Sequence, residues 1–593
     1  MLKQALDKQS IVGGYPTQCK PRLIRSVSIG VVVALLLAAC ASPDDRTVSA
    51  ADSSPAPART AAQEAQLSAL LQQAIQADRM GDFEGALPLY QQALELSDDP
   101  GVAERVTRIA AETGRWSVAA DAANRWRSLA PSSVPAQQMM IVSLMRLGQT
   151  DAAIDELAKQ VTQTEPTTMS WPMALGLLQV PSAEQNDPMA SREDSMVWLN
   201  QLLAQAGHSS DSAFAHYQRS RLAWQQGDSD AAYSFARAAN TAEPNYVNAM
   251  WAAGLAVQQE ELEQAQALYA QARSMAESPN SAPAVQAALA EAEVLGQLGR
   301  LGQSVALLET LPDSLDTVYA RALMELERDR VEAASEHWQT LVGMAEQTEA
   351  AQRDRAHWLV AILAEVIGQE TDAIDWYGRV EGDNRDTARL RQAGLLALNG
   401  RLDEARQLLA ALREDGDPQL TEQTYLVESQ LLLEQDQPDA ALDLLIEAVS
   451  NQPSSLDLLY GRAMAAVQNG QLDLAEQDLR VIIQRDSQNA IALNALGYTL
   501  ADRTDRQGEA LRLIERALVL EPDNPAIQDS MGWVLFRLGQ SEQALPYLER
   551  AADGDFHPEI VSHLIEVLWS LGREQEVQAW LAKAEPAFYD DPV

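Results

Sequence analysis

Between Ala490 and Ala551 apolar residues recur three and four positions apart, pause across a polar turn, and recur again. The first round places Leu493, Leu496 and Leu500 before the pause and Ala510, Ile514 and Ala517 after it. The second places Met531 and Leu535 before, and Ala544, Leu548 and Ala551 after. Spacing of this kind lines one face of an α-helix, so each round predicts a pair of antiparallel amphipathic helices. Gly497 to Gly532 is 35 residues and Ala510 to Ala544 is 34. Gly497 and Ala510 are small enough to let paired helices approach closely. Pro522 cannot continue a helix and ends the second of the pair. One hairpin of this size cannot bury its own apolar stripe, so copies must stack on one another.

The small residue of the second helix serves as a ruler for the rest of the chain. It recurs at Ala86, Ala119, Ala153, Ala232, Ala265, Ser304, Ala334, Ala373, Ala405, Ala441, Ala475, Ala510, Ala544 and Val577, with most gaps between 32 and 36 residues. A glycine often stands where the second helix is expected to open, as in Gly81-Asp82-Phe83, Gly114-Arg115-Trp116, Gly148-Gln149 and Gly400-Arg401-Leu402. Two places break the period. Ala153 to Ala232 is 79 residues, room for one irregular pair with helices expected at Ser170–Leu178 and Arg192–Ala206 around a polar loop, Pro181–Pro188. Ala265, Ser304, Ala334 and Ala373 are 39, 30 and 39 apart, which suggests connections of unequal length. The first helix is expected at Gln63–Met80, with Leu67, Leu70, Leu71 and Ile75 as its stripe. Trp580, Phe588 and Tyr589 are expected to cover the last pair.

The N-terminal stretch has a different character. Lys20, Arg22 and Arg25 precede the apolar run Ile29–Ala39, which is too short to span a bilayer as a mature helix and has the layout of a secretory signal. Its end, Leu37-Ala38-Ala39-Cys40, resembles a bacterial lipobox. That resemblance implies cleavage before Cys40 and acylation there; Ala41 rather than Asp in the next position implies sorting to the outer membrane. Cys19, the only other cysteine, would be discarded, so the body can build no disulfide framework. Ala41–Ala62 is rich in Ser, Pro, Ala and Asp and reads as a tether with a reach of roughly 25 Å. The expected organisation is therefore a signal peptide at 1–39, an acylated Cys40 and tether at 40–62, N-terminal repeats at 63–164, the irregular pair at 165–210, and repeats with a C-terminal cap at 211–593.

Charge narrows the partners. The formal net charge is −41, although residues 1–39 hold five Lys/Arg against one Asp, so the body is more acidic still. That argues against nucleic acid, which needs a basic footprint, and against charge-driven binding to anionic lipid. Acid keeps a long, exposed stack dispersed, or steers a basic partner towards it.

Candidate chemistry is sparse. The six histidines, His208, His216, His337, His357, His557 and His563, form no H-E-x-x-H and no persuasive metal spacing, and read as surface or packing residues. Paired acids such as Asp98-Asp99 and Asp590-Asp591 read as solvated loop residues. Trp116, Trp126, Trp251, Trp338, Trp376, Trp533 and Trp569 fall on helices near unit marks and are expected to pack between helices. No phosphate loop, dinucleotide fingerprint or G-x-S-x-G occurs. No cofactor, metal or catalytic residue is expected, and a compact lytic-transglycosylase lobe has no room because the marks continue to Val577.

Across about Gln63–Ala584 the marks resemble tetratricopeptide repeats. The fold class expected is all-α, a right-handed solenoid of about fourteen helix pairs. The runs from Asn494 to Arg503 (NALGYTLADR) and from Asp529 to Gly539 (DSMGWVLFRLG), with the lipobox, resemble proteobacterial tetratricopeptide lipoproteins. These include the adaptor that partners a carboxyl-terminal processing protease in pseudomonads. The resemblance implies a non-enzymatic adaptor, lipid-anchored at the periplasmic face of the outer membrane. It would bind that serine protease and present peptidoglycan hydrolases to it. A second expectation is an assembly factor for outer-membrane protein, lipoprotein or polysaccharide export. No partner-contact residue transfers from the resemblance.

Overall fold

The computed structural model describes residues 60–162, 171–180 and 191–588. Cys19, Cys40, the expected tether as far as residue 59, Ser170, the expected loop Pro181–Pro188, Tyr589 and the acids at 590–591 lie outside the described residues, as does the side chain of Phe588. Among the described residues every regular element is a helix, thirty in all, and there is no strand.

The chain divides into two compact units, with the break between Pro312 and Asp313. The N-terminal unit contains α1 (Ala61–Arg79), α2 (Phe83–Leu96), α3 (Pro100–Glu112), α4 (Trp116–Leu129), α5 (Val134–Arg146), α6 (Thr150–Thr162) and α7 (Trp171–Leu177). It continues with α8 (Arg192–Gln205), α9 (Ala213–Gln225), α10 (Ser229–Ala242), α11 (Tyr246–Gln258), α12 (Leu262–Ser274), α13 (Ala282–Gln297) and α14 (Leu301–Glu309). The C-terminal unit contains α15 (Leu315–Leu326), α16 (Val331–Gln347), α17 (Ala350–Val366), α18 (Glu370–Tyr377), α19 (Arg385–Leu398), α20 (Leu402–Asp415), α21 (Pro418–Glu434) and α22 (Pro438–Asn451). It ends with α23 (Leu456–Gln468), α24 (Leu472–Arg485), α25 (Ala490–Arg503), α26 (Gln507–Leu520), α27 (Pro525–Arg537), α28 (Ser541–Gly554), α29 (Pro558–Ser570) and α30 (Glu574–Phe588).

Each ruler residue occupies the same place. From Ala86 to Ala544 all are 0% exposed, and Val577 is 2% exposed. Each also closes the first turn of its helix, as Ala119 N–H does on Arg115 O at 3.0 Å and Ala544 N–H on Gln540 O at 3.1 Å. A small side chain suits that point: twelve of the fourteen are alanine, and the other two are Ser304 and Val577. The partner is small there too. A Cβ added to Gly497 would lie 2.5 Å from Ile514 Cγ1 and 3.2 Å from Ala510 O; one added to Gly532 would lie 2.5 Å from Leu548 Cγ and 3.2 Å from Ala544 O. The packed interior that results runs without a break from Tyr425 to Val577 in the C-terminal unit.

The hairpin turn corrects one sequence expectation. The glycine five residues before the ruler does not open the second helix; it ends the first. Gly114 has φ 71°, and the next N–H, of Arg115, reaches back to Ala110 O at 2.7 Å, the six-to-one bond of a left-handed C-terminal cap. The residue five before the ruler is left-handed in thirteen of the fourteen marked hairpins, with Glu260, Asp329 and Asp436 in place of glycine in three. The exception is Asp505, where α25 instead ends on an extended Thr504.

The broken spacing has a second cause beside the unequal connections expected, which run from two residues (348–349) to seven (275–281). Helices, and not only connections, change length. α13 has 16 residues, α14 only 9, and α16 and α17 have 17 each. In the long gap, α7, the turn residue Leu178 after it, and α8 bury Leu175, Leu178, Leu199, Leu202 and Leu203 with Ile141, Ile154 and Leu157 of the preceding helices. At the N-terminal end, α1 buries only Ala74 fully, and Ile75 is 42% exposed. At the other end, Trp580 stacks on Phe556 at 6.1 Å with Lys583 Nζ 4.4 Å from the indole centroid.

Candidate protein-binding surfaces

The first helix of a hairpin touches the first helix of the next hairpin as well as its own partner, as α25, α27 and α29 do in the C-terminal unit. Side chains on these facing stripes assemble into polar–aromatic clusters that neither helix could build alone.

The largest lies on α25, α27 and α29. Tyr498 Oη donates to Glu559 Oε1 at 2.7 Å, reaching across two hairpins. Trp533 Nε1 donates to Asp502 Oδ1 at 3.3 Å, and Arg537 donates to Asp502 O, also at 3.3 Å. His563 lies stacked on Trp533 with ring centroids 4.1 Å apart, and its Nδ1 is 3.0 Å from both oxygens of Asp529. Burial alone would lower the imidazole, but the hydrogen bond and charge of Asp529, with Glu559 and Asp502 beyond, outweigh it and hold His563 above the ordinary histidine range. Burial also raises the Asp529 carboxyl, and His563 pulls it back. Burial and the Glu559 hydrogen bond push the Tyr498 hydroxyl up.

A second cluster lies on α9 and α11. Ser220 Oγ donates to Ala232 O at 2.6 Å and accepts from Trp251 Nε1 at 2.7 Å, so the indole is fixed by its nitrogen. Trp224 meets Trp251 edge-on at 6.3 Å, and Tyr217 meets it at 6.1 Å. The guanidinium of Arg221 sits 5.2 Å from the Trp251 ring and 5.9 Å from the Tyr217 ring, and donates to Tyr217 Oη at 3.2 Å. Trp224 is 41% exposed. Further along, on α13, burial pushes the Glu293 carboxyl up to about 7.

The residues singled out from sequence distribute as follows. Trp126, Trp338, Trp376 and Trp533 are buried, and Trp116 and Trp251 half-buried. Trp569 is 64% exposed, against its expected packing role, because α29 is the last first helix among the described residues and no later one packs on it. Asp99 is not merely solvated: its carboxylate caps α3 by accepting from Gly101 N–H at 2.9 Å, while Asp98 pairs with Arg125 at 2.6 Å. His557 caps α29, His208 stacks on Phe214 at 4.2 Å, and His357 Nδ1 lies 3.0 Å from Arg379 O. His216 and His337 are both lowered by burial. Among the described residues no three potential ligands converge on a metal position, and no helix is long and apolar enough to cross a membrane. The sequence reading missed the Asp529–His563 pair, yet the two are 34 residues apart, one repeat, and that coincidence of period with opposite chemistry was available.

A tetratricopeptide-repeat family model matches residues 71–134 and 426–490. TPR repeat-containing protein PA4667 of Pseudomonas aeruginosa is 43% identical over 214 residues, which is 36% of this chain and 36% of that protein. The match thus spans about a third of the curated relative's length. Among solved structures, the yeast Tom70 is 13% identical with a TM-score of 0.32, covering 88% of this chain and 98% of that one. TTC0263, a thermophilic TPR protein of Thermus thermophilus, is 26% identical with a TM-score of 0.27, covering 29% and 93%. With the repeat model matched in both units and the same buried mark in fourteen hairpins, the fold is an all-α solenoid of tetratricopeptide-type hairpins.

Proposed function

We propose that the chain is a non-enzymatic adaptor lipoprotein that holds a carboxyl-terminal processing serine protease and its peptidoglycan-hydrolase substrates on one scaffold. The observation that carries the scaffold reading is the pair of polar–aromatic clusters on facing first helices, which offer fixed side chains to a polypeptide without supplying a nucleophile. The lipobox Leu37-Ala38-Ala39-Cys40 supports the finer reading: acylation at Cys40 would tether the body at the periplasmic face of the outer membrane, with the Ser/Pro/Ala-rich stretch that begins at Ala41 as the leash. Two partners bound to one tethered body meet at an effective concentration of about mM, so proteolysis is promoted without any new chemistry. The partial likeness to a TPR repeat-containing protein of Pseudomonas aeruginosa supports the scaffold part of this reading.

Metabolic labelling with palmitate, compared with Cys40→Ser, tests the anchor: label retained in the variant overturns it. Affinity purification of the acylated chain from envelope extract tests the partners. A serine protease and a cell-wall hydrolase are the expected company. Recovery of export-machinery components in their place would move the chain to the assembly-factor reading.

A further inference from the structure

Most described arginines of this acidic chain are held by carboxylates: Arg462 by Asp478, Arg406 and Arg413 by Glu428, Arg273 by Glu291. Arg221 is different. Its hydrogen-bonding contact is Tyr217 Oη, and the groups around its charge are the Tyr217 and Trp251 rings, with no carboxylate oxygen within 4.0 Å among the described residues. Its neighbour on the same helix, Arg219, likewise donates only to neutral oxygens, of Asn200 and the Ser210 carbonyl. A guanidinium carries five N–H donors in a planar fork, and one acceptor leaves the rest of that fork open.

The apolar surroundings are arranged on both sides of the charge. Along α9, Tyr217 lies one turn before Arg221 and Trp224 one turn after, while Trp251 flanks from α11 with its indole nitrogen already committed to Ser220. Trp224 is partly exposed and meets Trp251 edge-on, so an apolar ledge continues past the cation. We propose that Tyr217, Arg221, Trp224 and Trp251 form a docking seat for an extended segment of a partner polypeptide. An Asp or Glu side chain of that segment pairs with Arg221, and apolar neighbours on either side lie on the rings. Charge complementarity selects the occupant: the guanidinium lacks an anion in a molecule otherwise rich in them. Rings on both sides favour a chain that runs through the seat over one that ends there. The seat rests on the reading of the chain as a protein-binding scaffold.

The test uses the full chain with a photo-crosslinking phenylalanine analogue at position 224, and a second preparation with it at the exposed position 569. Each is irradiated in envelope extract and the crosslinked segments are sequenced by mass spectrometry. The expected result at 224 is an internal segment with an acid within two or three residues of the crosslink. Arg221→Glu should lower its capture at least about tenfold, and Arg in place of the mapped acid should restore it. Arg221→Lys, which keeps the charge but not the fork, should give partial capture, and circular dichroism confirms that both variants fold. Crosslinks to a chain terminus, to segments without an acid, or unaltered by Arg221→Glu overturn the seat. Capture at 569 with none at 224 overturns the seat and leaves the scaffold reading standing; capture at neither position overturns both.

Discussion

Two kinds of glycine do two different jobs here, and substitution separates them. Gly532 is right-handed helix, and what it needs is room: a Cβ would sit 2.5 Å from Leu548 Cγ and 3.2 Å from the Ala544 carbonyl, a backbone atom that cannot step aside. Gly532→Ala should therefore cost about 1–3 kcal/mol despite the better helix propensity of alanine. Asp436 shows the second job in reverse. It occupies a left-handed turn at φ 57° where most hairpins carry glycine, and it is exposed. Asp436→Gly should thus stabilise the C-terminal unit, by about 0.5–1 kcal/mol, in urea denaturation. A destabilisation would show that the left-handed turn is not what selects glycine. Glu293 offers a third single-residue test. Burial raises its carboxyl to about 7, so the fold prefers the protonated form. Stability from this group is fully present below the unfolded value near 4.5 and is lost as pH rises through about 7. Glu293→Gln should raise the stability of the N-terminal unit at pH 8 by about 1–3 kcal/mol and change little at pH 4; equal effects at both pH values would refute the assignment.

At the level of the hairpin, what could be read in the sequence was what is local. Ala86, Ala119 and Ala510 announce themselves because one buried position per repeat favours a small side chain, and each is fully buried. The turn glycines were visible but assigned to the wrong helix, since the left-handed cap belongs to the helix that ends and only backbone geometry separates the two readings. The clusters at Tyr498–Glu559 and Arg221–Trp251 were not visible, because they depend on which faces of helices one or two repeats apart meet. Ion pairs between hairpins follow the same logic: Arg480 with Glu509 and Arg506 with Glu476 sit 29 and 30 residues apart. Those are exposed and contribute little. Within a hairpin the balance shifts. Asp478 on α24 is 2% exposed and takes two bonds from Arg462 on α23, at 2.8 and 2.7 Å. Removing one partner strands a buried charge. Asp478→Ala should therefore destabilise by about 3–5 kcal/mol, while Arg462→Met with Asp478→Leu should lie near wild type. If the double replacement is as damaging as the single one, the pair is doing more than neutralising itself.

For the whole molecule, stability is the sum of hairpins and the interfaces between neighbours, so nothing requires the chain to unfold at once. The two compact units part between Pro312 and Asp313, directly after α14, whose nine residues make it the shortest ruler-bearing second helix of the N-terminal unit. A helix of two and a half turns offers its neighbours less apolar face than the thirteen or fourteen residues of α10 or α12. Each unit has its own buried core, from Ala74 to Leu311 in one and from Leu315 to Ala584 in the other. Residues 41–312 and 313–593, expressed separately, should therefore each retain the helical circular dichroism per residue that the full chain shows. Limited proteolysis of the full chain should cut first near 310–314, and urea should melt it in two steps, or in one with an m-value well below that expected for so long a chain. The Asp478→Ala substitution should shift only the step belonging to 313–593, and Glu293→Gln only the other. A single transition, moved as a whole by either change, would mean that the hairpins form one cooperative body and that the break at Pro312 has no energetic meaning.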